Sequence, residues 1–249
     1  MQIDEHMSLY ATLFKSYSPE QFKESSQLFY DRHRRWGFAP TWFRGKKCLD
    51  AGCGGGRYTK ALKDLGADVY AFDVDGEVAK VAMERTGIPV LVASATHIPF
   101  PDETFDYVIC MGVLNHVDDP DNGFRELARV LKQGGTMVFG VYGDYGLRWW
   151  FGTDIWRYSL AKVISFETLN KVFSYFGVPA NKRYAILDNL YVRYLHRFTE
   201  KQVRKKWLSG FCDVRRHPYE RYDYRRLFNR IMYGVGWIQF TAVKCPKTK

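Results

Sequence analysis

The 249-residue sequence predicts an α/β fold, a seven-stranded and mainly parallel sheet with helices on both faces. Three observations carry this. An apolar strand signal, Cys48-Leu49-Asp50-Ala51, runs straight into the glycine-rich turn Gly52-Cys53-Gly54-Gly55-Gly56. Strand and helix signals then alternate, which implies parallel pairing with helical crossovers. The second strand signal, Val69-Tyr70-Ala71-Phe72, closes on an acid, Asp73.

Residues 8 to 40 read as helical, with Phe22, Leu28 and Phe29 among polar residues and Pro40 ending the segment. After the glycine turn, Tyr58, Ala61, Leu62 and Leu65 share one helical face, and the second strand ends at Asp73. A helix around Val78, Val81 and Ala82 precedes a third strand, Pro89 to Ala93. The fourth strand is Tyr107 to Met111, followed by a helix presenting Phe124, Leu127, Ala128 and Leu131 at i, i+3, i+4, i+7 spacing. Thr136 to Tyr142 is the fifth strand. From Tyr145 to Phe198 the pattern changes to aromatic-rich helical segments, with Leu169, Val172, Phe173 and Phe176 on one stripe. A connection of that length inside a compact domain is a helical insertion, expected at the C-terminal edge of the sheet. Thr199 to Ser209 reads as a helix, Phe211 to Arg216 as strand six, Tyr222 to Met232 as a helix or helical loop, and Gly236 to Val243 as the last strand. The expected division is one domain: a helical cap (1–44), a core (45–144), a lid insertion (145–198) and a C-terminal helix with antiparallel strands (199–249).

A strand that turns through glycines into a helix brings bare backbone N–H groups beside any ligand at the strand's end. An acid closing the next strand is placed to accept two ribose hydroxyls. The nicotinamide fingerprint G-x-G-x-x-G fails here because Arg57 holds the third glycine position, and no G-x-x-x-x-G-K-[ST] string occurs. The pattern Asp50-Ala51-Gly52-Cys53-Gly54 instead resembles motif I of class I S-adenosylmethionine-dependent methyltransferases. Three further segments resemble that family in order and spacing: Ser94 through Ile109, Val113-Leu114-Asn115-His116-Val117, and Arg125 through Gly135. Together they cover residues 45 to 143.

The resemblance implies a Rossmann-like core, S-adenosylmethionine as cofactor, and a cofactor site of Asp50, Ala51, Gly52, Cys53, Gly54, Asp73, Val74, Ser94, Ala95, Thr96, Met111 and Gly112. It also implies N-terminal helices that cover the cofactor. The family usually has Asp where this chain has Ser94, an acid that commonly binds the adenine amino group; a serine hydroxyl accepts there more weakly. Methyl transfer from a sulfonium needs alignment of the acceptor and exclusion of water. His116, just past strand four, is the candidate base for a hydroxyl or amine acceptor. Arg148, Trp149 and Arg157 are candidate substrate residues, since a guanidinium near an apolar lid could clamp a phosphate or carboxylate. The acceptor is therefore expected to be a small metabolite, with an anionic one as an option. His33, His97, His196 and His217 lack ligand spacing, so no metal site is expected.

The net charge is +10, and all of the excess is C-terminal: residues 193 to 249 carry 15 Lys/Arg against 4 Asp/Glu. Such a density attracts phosphate, nucleic acid or anionic headgroups. Arg193-Tyr194-Leu195-His196-Arg197-Phe198-Thr199 and Gly54-Gly55-Gly56-Arg57-Tyr58 are similar to segments of transfer-RNA wobble-uridine methyltransferases, which makes RNA an alternative acceptor. A module that binds nucleoside without turnover is the third reading, motivated by Ser94. Five cysteines without paired spacing, no signal-peptide-like start and no apolar run of bilayer length point to a reducing cytoplasm.

Overall fold

A computed structural model describes residues 10–12, 14–15, 17–143, 146–147, 151, 154–178, 183, 186–187, 190–192, 194–218, 231 and 236–246. Seven strands form one sheet: β1 (Lys47–Ala51), β2 (Asp68–Asp73), β3 (Val90–Val92), β4 (Phe105–Met111), β5 (Leu131–Tyr142), β6 (Phe211–His217) and β7 (Trp237–Lys244). Their order is β3-β2-β1-β4-β5-β7-β6. The first five strands pair in parallel, and β7 runs antiparallel to both β5 and β6. The winding reverses between β1 and β4, and there a crevice opens beyond the strands' carboxyl ends.

The helices of eight residues or more among the described residues are α1 (Pro19–Arg35), α2 (Arg57–Asp64), α3 (Gly76–Thr86), α4 (Pro120–Val130), α5 (Phe166–Tyr175) and α6 (Glu200–Trp207). Their starts are written locally. Ser18 and Gln21 form a capping box for α1, Thr199 and Gln202 form one for α6, and Asp75 and Asp119 cap α3 and α4. Alternation along β4 sends Val108 and Cys110 to one face and Tyr107 and Ile109 to the other. The first face packs on α4 and α6 through Leu127 and Trp207, the second on α1 and α2 through Phe29 and Leu62. Both strand faces are thus apolar, as a covered parallel sheet requires. On β7, the Trp237 indole fills the space above Gly140 and Gly112; a Cβ on Gly140 would fall 2.4 Å from its ring, and one on Gly112 3.3 Å.

Under α1, His33 is 3% exposed and stacks on Phe29 at 3.8 Å. Its Nδ1 donates to the Phe29 carbonyl, so the neutral ring's Nε2 accepts from the Tyr107 hydroxyl. Burial pushes the His33 pKa down to about 3, and burial likewise lowers that of His217, stacked on Trp36, to about 4. Because the unfolded chain binds these protons near 6.5 and the folded chain does not, their contribution to stability is complete above pH 6.5 and is lost as pH falls toward 4. Unfolding free energies from urea titrations between pH 7 and 4 are expected to fall below pH 6.5 with a slope of about 1.4 kcal/mol per pH unit from His33 alone, a slope that His33→Phe flattens.

The structure departs from the sequence reading in four places. The expected helix over 8–40 is interrupted: α1 starts only at Pro19, ends at Arg35 before Gly37 (φ 90°), and Pro40 opens a separate turn of 3₁₀ helix. Leu131 begins β5 instead of ending α4, pairing with Phe105. On α5 the buried stripe is rotated: Leu169 packs with Phe166 and Phe173 against Leu187 and Leu190, while Val172 and Phe176 face outward. Finally, Cys212 and Cys245 form a disulfide, with their Cα atoms 5.2 Å apart. Antiparallel pairing of β6 with β7 sets Cys212 opposite Val243, and the Cys245 N–H donates to Gly210 O. This removes unpaired cysteines as an argument about compartment; Cys48, Cys53 and Cys110 are free and buried. No helix among the described residues is long and apolar enough to cross a membrane. The segment expected as a helix at 222–232 lies, apart from Ile231, outside the described residues.

Candidate active site

The loop after β1 is held open by glycines with left-handed backbone. Gly52 (φ 71°) and Gly54 (φ 53°) take a conformation that costs other residues energy, and a Cβ on Gly52 would lie 2.2 Å from Val113. Gly52 and Cys53 N–H both donate to Phe72 O at 2.9 Å, tying the loop to β2. Gly54 N–H donates to Asp73 Oδ2 at 2.9 Å, and Asp75 N–H to Asp73 Oδ1 at 3.1 Å. Each carboxylate oxygen accepts two bonds, so Asp73 retains capacity for a diol. Burial raises its pKa, opposed by those two backbone bonds.

Asp75 caps α3 with Oδ1 alone; Oδ2 is buried without a hydrogen-bond partner at the wall of the same cleft. Asp50, expected at the cofactor, stands behind the loop instead. It is 2% exposed, accepts from the Thr59 hydroxyl at 2.7 Å, and burial lifts its pKa to about 6. Strand alternation turns its side chain toward α2 and away from the cleft. Ala51 and Cys53 are likewise buried beneath the loop, and Thr96 is turned to Ser94, their hydroxyls 2.8 Å apart.

The cleft has a volume of about 470 Å³ and is lined by Gly52, Gly54, Asp73, Val74, Ser94, Ala95, Met111, Gly112 and His116 among the expected residues. That is within the usual range for a small-molecule site. Arg129 on α4 ties that helix to the segment after β3, donating to the Ile98 and Phe100 carbonyls, Glu126 and Asp102. Sequence reading missed Tyr10, Phe14, Val113, Val117, Asp118, Val192 and Tyr194, which complete the wall. Val192 and Tyr194 arrive from far along the chain through a hub at Asn115.

Asn115 is fully buried, and its amide spans two segments: Nδ2 donates to His196 O at 2.6 Å and Oδ1 accepts from Tyr142 N–H at 3.0 Å. His196 N–H donates back to Asn115 O, and His196 Nε2 to Val117 O. His116 Nδ1 donates to Tyr194 O at 3.0 Å. Asn115→Leu leaves a buried N–H and a buried carbonyl unsatisfied, each costing about 1–3 kcal/mol. Urea unfolding is expected to record a loss of about 2–6 kcal/mol in total.

A family model described as a methyltransferase domain matches residues 49–139. Residues 49–139 are thus similar to a methyltransferase domain. Over 111 residues the chain is 36% identical to the ubiquinone biosynthesis O-methyltransferase of Proteus mirabilis, a match spanning 42% of this chain and 45% of that protein. It is 38% identical over 106 residues to an uncharacterised protein of Methanocaldococcus jannaschii, spanning 42% and 40%. The chain therefore spans less than half the length of these curated relatives. The fold is shared with a methyltransferase of Archaeoglobus fulgidus (TM-score 0.58, 17% identity, 90% of this chain and 97% of that one) and with phosphoethanolamine N-methyltransferase 2 of Haemonchus contortus (TM-score 0.58, 18% identity, 96% and 56%).

The Haemonchus contortus structure holds S-adenosylmethionine. The residues fit that group: a glycine turn without side chains at the cleft, a carboxylate with spare acceptor capacity and an orphaned acid oxygen at one wall suit a cationic nucleoside bearing a ribose diol. Outside the domain the expected substrate arginines fare differently. Arg148 and Trp149 lie outside the described residues. Arg157 donates to the Val192 carbonyl and so supports the wall from behind; it is not among the lining residues. In the basic C-terminal region, Arg204 and Arg216 pair with Glu200, Lys206 with Asp121, and Arg215 with Asp213. No cluster of metal-binding side chains occurs among the described residues.

Proposed function

We propose that the chain methylates a hydroxyl or amine on a small, uncharged, ring-bearing metabolite, with His116 as the base. The observation that supports this is the place of His116: its Nδ1 donates to Tyr194 O, and the ring lines the same cleft as Asp73 and the glycine loop. The bound sulfonium supplies an activated methyl group. Gly52, Gly54 and Asp73 hold the nucleoside, with Val74, Ser94 and Ala95 at the base and Met111 and Gly112 beneath. His116 accepts the acceptor's proton as the new bond to carbon forms.

The acceptor end is walled by Val117, Val192 and Tyr194 beside Asp118. Apolar and acidic walls favour a neutral ring over the anionic metabolite raised from sequence, since carboxylates in a shielded cleft repel an anion. Val192 and Tyr194, described residues of the expected lid, close that end of the cleft against water. The test is incubation of the full chain with methyl-labelled donor and, in parallel, a small-metabolite extract and total RNA. Label is expected in neutral small molecules. Label confined to RNA overturns the acceptor assignment, and binding of the donor with no label in either fraction favours a module without turnover.

A further inference from the structure

One buried carboxylate oxygen in the cleft lacks a donor. Asp75 is 7% exposed, and its Oδ1 caps α3 by accepting from both Glu77 N–H (2.8 Å) and Val78 N–H (3.3 Å). Its Oδ2 is buried with no hydrogen-bond partner among the described residues, while the side chain lines the cleft. A carboxylate oxygen taken out of water without a donor is costly, and at a ligand wall the donor comes with the ligand. Sheet order decides which part of the ligand supplies it. The strands run β3-β2-β1-β4, with the glycine loop after β1, Asp73 closing β2 and His116 beyond β4. A nucleoside with its ribose on Asp73 and its sulfur end toward His116 extends its base the other way, toward β3. The start of α3 lies on that side: a Cβ on Gly76 would be 3.7 Å from Val92, and Ala93 N–H donates to Asp73 O at 3.0 Å. Val78, Ala93 and Ala95 line the cleft there, and Asp75 is the acid among them. Ser94 is engaged within its own turn, its hydroxyl 2.8 Å from that of Thr96 and accepting from Thr96 N–H at 3.2 Å.

We propose that Asp75 sets the base specificity of the cleft, its Oδ2 accepting from the exocyclic amino group of the cofactor's adenine. The carboxylate that position 94 lacks is thus supplied from the cap of α3. One side chain does two jobs, Oδ1 holding the helix and Oδ2 reading the base. A base with a carbonyl oxygen in place of the amino group sets acceptor against acceptor there and is rejected. The inference rests on the cofactor reading of the cleft.

Calorimetry of the full chain and of Asp75→Asn, each with S-adenosylhomocysteine and with S-inosylhomocysteine, tests it. Asparagine caps helices about as well as aspartate. Its amide oxygen takes over the two α3 N–H bonds, which leaves Nδ2, a donor, where Oδ2 stood. The unaltered chain is expected to bind the adenosyl ligand roughly ten- to hundredfold more tightly than the inosyl one, and Asp75→Asn to abolish or reverse that preference. The lost charge acts on both ligands alike and cancels in the ratio. A ratio unchanged in Asp75→Asn, with the two affinities equal to before or reduced together, overturns the assignment. Asp75→Ser keeps a cap and removes Oδ2, so it decides the matter if Asp75→Asn does not fold: a ratio near one is expected, and the original ratio overturns the assignment. Failure of the unaltered chain to bind S-adenosylhomocysteine is a separate result, and it removes the cofactor reading and the role of Asp75 with it.

Discussion

Asp73→Ala is expected to weaken S-adenosylhomocysteine binding by roughly 100-fold or more, because two charge-assisted bonds to a ribose diol, at about 1.5–3 kcal/mol each, go with the carboxylate. The loop would be loosened too, since Gly54 and Asp75 N–H lose their acceptor. Titration calorimetry reads the affinity directly, and a thermal shift reads it by linkage: ligand at a hundredfold excess over Kd stabilises the unaltered chain by about 2.7 kcal/mol. Asp73→Asn retains one acceptor oxygen without the charge and is expected to fall between the two. Equal affinity across all three proteins would refute the assignment of Asp73 to the ribose.

His116→Asn is the second large effect. The asparagine amide can replace Nδ1 as donor to Tyr194 O, so the wall stays in place while the proton acceptor is lost. With the acceptor identified by labelling, kcat is expected to drop by about 10²–10⁴, the usual contribution of a general base, with S-adenosylhomocysteine affinity unchanged. A fall in cofactor affinity with kcat preserved would assign His116 to binding and take away its role in proton transfer.

What could be read from sequence divides along physical lines. Gly52, Gly54, Asp73 and Ser94 were legible because a tight turn and a strand end impose their residue types over a few consecutive positions. Asp50 was legible as part of the motif, but its direction was not; adjacency says nothing about which side of a strand end a carboxylate takes, and it went to Thr59. Phe14, Val192 and Tyr194 reach the cleft only through tertiary contacts, by an Arg85 bond to Phe14 O and the Asn115 bonds, and carry no local signal. The disulfide was hidden for the same reason: the partners are 33 residues apart and meet through antiparallel register. The outward turn of Val172 and Phe176 shows how helical periodicity identifies a stripe yet leaves its rotation to the surroundings.

The indole of Trp237 gives β7 an unexpected duty. It occupies a notch that exists only because residues 112 and 140 lack side chains, and Gly112 itself lines the cleft. A shortened chain lacking β7 would therefore lose the prop beneath its binding floor, although the motif that grips the ligand was completed some hundred residues earlier.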